Sequence, residues 1–177
     1  MRTVLGAILL LVICVVGLAV IFPVYYRRGG SREAFCLSNL HALSNAARMY
    51  SLDHKGRLPN ASTWMDDLRP YLTGKYAYRS PSSENPDVFH CPDDKKHQYS
   101  YAMNSNLRLA DVPEPAKAVL FFDSDSGLRN AHVPISTISD LSRYRSHHEG
   151  GWHIVAHPDG DVEVLAPAQR PESPHAP

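Results

Sequence analysis

The residues best suited to chemistry fall in a few groups. His147, His148, His153, His157 and Asp159 crowd into one stretch near the C-terminal end. Imidazole and carboxylate are zinc ligands, but a zinc site needs at least three of them converging on one point. His153 and His157 stand four apart in a run that reads as a strand. They share a face of it, at a separation of about 13 Å, and do not reach one ion without a bend. The stretch is therefore read as structural, with His148 hydrogen-bonding the backbone near a hairpin and Asp159-Gly160 making its turn. A second group, Asp123-Ser124-Asp125-Ser126-Gly127, alternates oxygens in a manner compatible with calcium at Asp123 and Asp125. It lacks the spacing and terminal glutamate of an EF-hand, and an Asx-rich turn after a strand explains the same residues. Ser146, His148 and Asp159 are the types of a hydrolase triad, but no strand–turn–helix elbow presents the serine. No catalytic residue is assigned, and the chain reads as a non-enzyme. Of the three cysteines, Cys14 lies in an apolar run and reads as a small hydrophobe. Cys36 and Cys91 remain: one disulfide in an exported domain, or two reduced buried thiols in a cytoplasmic one.

The elements that must position these groups begin with the run Val4 to Tyr26, which holds no charge. A hydrocarbon core of about 30 Å takes roughly 20 apolar residues in a helix, and in lipid only a helix satisfies the backbone of a single span. Residues 1–28 are expected to be a transmembrane anchor, with Tyr25 and Tyr26 at the interface and Arg27 and Arg28 at the headgroups. The run is too long for a cleaved signal and ends in no small-x-small site. Counting Arg2 against Arg27, Arg28 and Arg32 would by itself favour a cytoplasmic domain.

The chain beyond this run is soluble in composition. Eighteen basic residues balance eighteen acidic ones, so no positive field argues for a nucleic-acid partner. Ten histidines make the charge rise as pH falls through about 6.5. Residues 31–166 suffice for one domain with a core. Cys36, Leu40, Leu43, Ala47 and Tyr50 recur at helical spacing, which predicts a helix over 31–55, begun at Ser31 and stopped at Gly56. Pro23 and Gly29-Gly30 are the expected kink and joint between it and the anchor. A short helix is expected over 60–72, capped by Ser62 or Thr63 and stopped near Pro70, then a loop over 73–96. Strands are expected over 99–103, 118–122, 152–156 and 162–165, the last two forming a hairpin around His157-Pro158-Asp159-Gly160-Asp161. The Pro-rich segment 167–177 is expected to be a disordered tail. No internal repeat is visible.

Several of these landmarks resemble a family. Cys36-Leu37-Ser38-Asn39-Leu40, followed by Ala47, Tyr50, Asp53, Gly56, Leu58 and Pro59, resembles the CxxNL…LP signature of bacterial type II secretion pseudopilin-like proteins. Cys91-Pro92-Asp93 resembles their CPxD, Ser100-Tyr101-Ala102-Met103-Asn104 their SYxMN, and Val119 to Asp123 their strand ending in Asp. His148, with Asp159-Gly160, resembles the C-terminal H-x9-DG motif, although ten residues intervene here and Asp161 stands at the motif's second histidine. Gly6 stands where the family carries its assembly glutamate, and only Met1 precedes the matched residues, so no cleavable leader is expected.

The resemblance implies an α+β fold: a long N-terminal transmembrane helix continuing into a helix packed on a small antiparallel β-sheet over about 98–166. It implies a Cys36–Cys91 disulfide, and motif roles for Asn39, Tyr101, Asn104, His148, Asp159 and Gly160. It places the chain in the bacterial inner membrane, single-pass, with its C-terminal domain periplasmic. The implied function is a structural subunit of a type II secretion or type IV pilus-like system. Its partners would be membrane lipid and other pilin-like subunits, with no nucleic acid and no cofactor beyond the calcium considered above. The alternative is a membrane-anchored periplasmic binding domain of the same ancestry that does not polymerise, as the missing glutamate suggests.

Overall fold

The computed structural model describes residues 2–72, 88–108, 118–148 and 150–166; of residues 2–31 it describes the helical backbone, but only the side chains of residue 6 and residues 10–17. The chain divides into two compact units, Met1–Ala34 and Phe35–Pro177. A single helix, α1, is assigned over Arg2–Asp53. Ser31 therefore lies inside a helix rather than at its start. Among the described residues no helix is long and apolar enough to cross a membrane. This corrects the expected anchor over 1–28, and with it the inner-membrane, single-pass, periplasmic localisation. The side chains of Pro23 and Gly29-Gly30, the tail 167–177 and most of the loop 73–96 lie outside the described residues.

In the second unit, the expected stripe of α1 is buried: Cys36, Leu40, Leu43 and Ala47 are fully enclosed, and Tyr50 packs at their edge. The amide of Gly56 donates to Ser51 O at 2.8 Å, closing the helix end with both Lys55 (φ 58°) and Gly56 (φ 79°) left-handed. The reversal thus begins one residue before the glycine. The short helix α2 is Trp64–Leu72. Thr63 O accepts the amides of Asp66 and Asp67, and the Thr63 hydroxyl donates to Asp67 Oδ2 at 3.0 Å. Pro70 does not stop α2. It sits in the last turn, and the helix ends at Leu72, two residues beyond it and at the expected bound.

Five strands make one sheet: β1 (Tyr101–Asn104), β2 (Phe121–Asp123), β3 (His132–Val133), β4 (His153–Ala156) and β5 (Val162–Leu165). Their order is β3-β1-β2-β4-β5. The pairs β1–β2, β2–β4 and β4–β5 are antiparallel, but β1–β3 is parallel. The sheet is therefore mixed, a correction to the antiparallel expectation. The parallel strand is two residues long, too short for an alternation that a sequence can display. Ala131 O and Val133 O hold it by accepting the amides of Met103 and Ser105.

Strand alternation sorts the core into two layers. Tyr101, Met103, Phe121, Ile154 and Ala156 pack with α1, Trp64, Met65 and Leu68. Ala102, Phe122 and Val155 pack on the opposite face with Ala131, Ile135 and Leu141, the last from a 3-10 turn at Ile138–Arg143. Asn104 laces the edge together. Its Nδ2 donates to Val119 O and Ile135 O, both at 2.9 Å, while its Oδ1 accepts the amides of Ile135 and Asn106. Ser44, a polar residue on α1 next to the buried Leu43, is fully buried and donates its hydroxyl to His157 O. The hairpin forms as its turn chemistry demands. His157 N donates to Asp161 O, Asp161 N to Asp159 Oδ1, and Gly160 holds φ at 105°. A Cβ at Gly160 would also lie 3.4 Å from Asn45 Oδ1 on α1.

Candidate functional site

Residues i and i+3 share one face of a helix, and this puts Cys36 and Asn39 together on α1. Cys36 is bonded to Cys91 by a disulfide, with 5.1 Å between the Cα atoms. Asn39 Nδ2 donates to His90 O at 2.8 Å and, at 3.4 Å, to the hydroxyl of Tyr101. The two motif residues therefore grip adjacent residues of one loop. Tyr101 is fully enclosed, and burial pushes its phenol pKa upward.

The loop that presents Cys91 is built around Asp94. Its Oδ1 accepts the amides of Lys96 and His97, and its Oδ2 accepts the Ser100 hydroxyl. Ser100 Oγ in turn accepts the Cys91 amide at 3.0 Å, and Asp94 N closes the Cys-Pro-Asp-Asp turn onto Cys91 O. Burial opposes the charge on Asp94, but the hydrogen bonds outweigh it and hold its carboxyl below the usual range. An ionised Asp94 is thus the hub that fixes Cys91.

Onto this pair the segment after the 3-10 turn lays two histidines. One ligand atom from each of Cys36, Cys91, His147 and His148 lies within 4.8 Å of every other. His148 is 5 % exposed, and its ring stacks on Trp152 at 4.2 Å between centroids. The stack is reached through Gly150 (φ 91°) and Gly151 (φ 72°), which turn the chain back. Both ring nitrogens of His147 and both of His148 are buried without a hydrogen-bond partner among the described residues. His148 Nδ1 does stand 3.4 Å from Asp93 Oδ2, an ion-pair distance without hydrogen-bond alignment. Burial lowers the pKa of His147, and the neighbouring His148 adds to this against the pull of Asp123.

The other expected site residues go elsewhere. The His148 ring faces the cysteines instead of hydrogen-bonding the hairpin backbone. Ser146 Oγ accepts the His148 amide at 3.0 Å, and Asp159 serves the hairpin turn, so the hydrolase triad is not assembled. Asp123 is fully buried and accepts the Ile154 amide at 2.6 Å, whereas Asp125 stands 3.5 Å from His97. The two calcium candidates thus serve different contacts. His157 places Nδ1 2.8 Å from Ala118 O and Nε2 3.1 Å from Glu163 Oε1. His147 had no motif to mark it; its adjacency to His148 was the available signal.

His153 Nδ1 lies 3.3 Å from Asp123 Oδ1. Burial disfavours the imidazolium, but the adjacent carboxylate outweighs it and raises the His153 pKa above its ordinary 6.5. The folded state therefore binds this proton more tightly than the unfolded chain does. The stabilisation is complete below about pH 6.5 and is lost as pH rises through the raised value. A urea midpoint followed from pH 6 to 9 is expected to fall across that window, and less steeply in His153→Gln. Parallel profiles for the two proteins would refute the pairing.

No family model, curated protein or solved structure matches this chain. The likeness to pilin-like subunits rests on its motifs alone.

Proposed function

We propose that the chain is a structural subunit of a type II secretion or type IV pilus-like assembly, which packs the N-terminal part of α1 against the same helix of other subunits. The observation that carries this reading is an apolar band. Leu10, Leu11, Val12, Ile13, Val15 and Val16 are 50 to 68 % exposed. Successive helical residues are about 100° apart, so the band circles the helix instead of forming one face. A helix that is apolar all round is built to be buried on several sides. Helices of neighbouring copies supply such surroundings, and each side chain so covered contributes about 1 to 2 kcal/mol.

Cys14, an exposed free thiol in the same band, supplies the test. Mild oxidation of the full chain is expected to give a disulfide-linked dimer on a non-reducing gel, absent in Cys14→Ser. Val12→Glu with Ile13→Glu is expected to weaken self-association at least tenfold by light scattering. A chain that stays monomeric at high micromolar concentration and gives no Cys14 cross-link would overturn the reading, and would fit a domain that works singly.

A further inference from the structure

We propose that Cys36, Cys91, His147 and His148 form a Cys2His2 site that holds a zinc ion when the Cys36–Cys91 disulfide is reduced. The donor set is the first argument. Two sulfurs and two imidazoles are the ligands of closed, tetrahedral zinc sites. With zinc–sulfur bonds of about 2.3 Å and zinc–nitrogen bonds of about 2.0 Å, tetrahedral ligands lie roughly 3.3 to 3.8 Å from one another. The four ligand atoms already lie within 4.8 Å of each other. The remaining step is to part the two sulfurs and draw the imidazoles inward.

The unpaired histidines are the second, independent argument. Buried polar groups are nearly always hydrogen-bonded, and those that are not call for an explanation. The four ring nitrogens of His147 and His148 are buried without such a bond among the described residues. His148, almost wholly enclosed, is aimed at the cysteine pair with its ring held by Trp152. A metal would give each imidazole a partner. Asp93 completes the pattern: a carboxylate beside Nδ1 of His148 orients a ligand that binds through Nε2, as carboxylates do behind zinc-bound histidines.

The chemistry balances. A dithiol reductant passes two electrons and two protons to the S–S bond, giving two thiols and its own cyclic disulfide. Zinc then displaces the two thiol protons to solvent and is held by two thiolates and two neutral imidazoles. Thiol–disulfide exchange with an oxidised dithiol runs the sequence backward and expels the ion. The same pair of sulfurs thus ties α1 to the Cys91 loop in either redox state, covalently or through the metal.

The experiment uses the full chain in two forms, air-oxidised and reduced with dithiothreitol, then desalted under argon. Zinc content is measured by elemental mass spectrometry after equilibration with zinc and gel filtration. About one zinc per chain is expected in the reduced form and none in the oxidised form. Cobalt, as a spectroscopic probe, should give tetrahedral d–d bands together with thiolate charge transfer. His147→Ala and His148→Ala keep both cysteines, so their oxidised forms report that the fold is intact. Their reduced forms should bind zinc at least 100-fold more weakly, and Asp93→Asn about tenfold more weakly. Equal zinc in both redox states, no loss in the histidine variants, or no zinc in the reduced chain would each overturn the proposal. So would a reduced chain that unfolds and is not refolded by zinc.

Discussion

Replacing Cys36 with serine is expected to lower the unfolding free energy of the oxidised, metal-free Phe35–Pro177 unit by about 4 kcal/mol. The bond closes a loop of sequence separation 55. In the chain-entropy account such a loop restricts the unfolded chain by about that amount at 25 °C. The native state adds to it. Both cysteines are fully buried in the main core layer, and a serine there buries a hydroxyl among apolar neighbours. Asn39 also grips the loop through His90 O, and Trp64 meets it edge-on at Phe89, but neither contact restricts the unfolded chain as a covalent link does. Cys91→Ser should cost about the same, and the double variant far less than the sum of the two, since one bond is removed in all three. Urea unfolding at fixed pH, with chelator present, measures the difference. A loss below about 1 kcal/mol in the single variants would mean that the loop is held by other contacts.

The second large effect is at Trp64. Truncation to alanine is expected to cost about 3 to 5 kcal/mol. The indole is fully buried where α2 meets the sheet. It stands edge-on to Phe89 at 5.7 Å and 4.9 Å from Phe121. Its Nε1 donates to Ala131 O at 3.0 Å. That carbonyl also accepts the Met103 amide at 2.9 Å, so losing the indole leaves it paired. The cost is therefore mainly cavity and lost packing, not an orphaned polar group. Trp64→Phe isolates the smaller part: it keeps most of the contact area and should cost about 1 to 2 kcal/mol. Near-equal losses for Phe and Ala would place the weight on the hydrogen bond instead. Against a typical domain stability of about 5 to 15 kcal/mol, either the cysteine or the alanine variant leaves little reserve at 37 °C.

Local pattern carried much of the fold. The stripe Cys36-Leu40-Leu43-Ala47 was legible because a helix against a core buries every third or fourth residue. The β4–β5 hairpin was legible because Pro158 and Gly160 sit between two apolar runs. Elsewhere local pattern misled. Val4 to Tyr26 reads as a span by composition, yet no described helix is long and apolar enough to cross a membrane. Ser44 is polar yet lies in the core, where a carbonyl of the hairpin satisfies it.

The sequence by itself determined the α+β class, the buried face of α1, the hairpin, and the two cysteines, Cys36 and Cys91, available for pairing. These are properties of neighbours within one or two turns, and burial of one face writes them as periodicity. Only the tertiary structure decided the strand order, the parallel edge, and the meeting of Cys36 and Cys91 with His147 and His148. Those ligands come from α1, a loop and a second loop far apart in the chain. No spacing rule links them, because the distances between them are set by the packing of the sheet on α1. The histidines nearest in sequence, His153 and His157, were drawn instead to Asp123 and to Ala118 O with Glu163. An extended strand separates side chains that a sequence counts as close, and a folded core joins those it counts as distant.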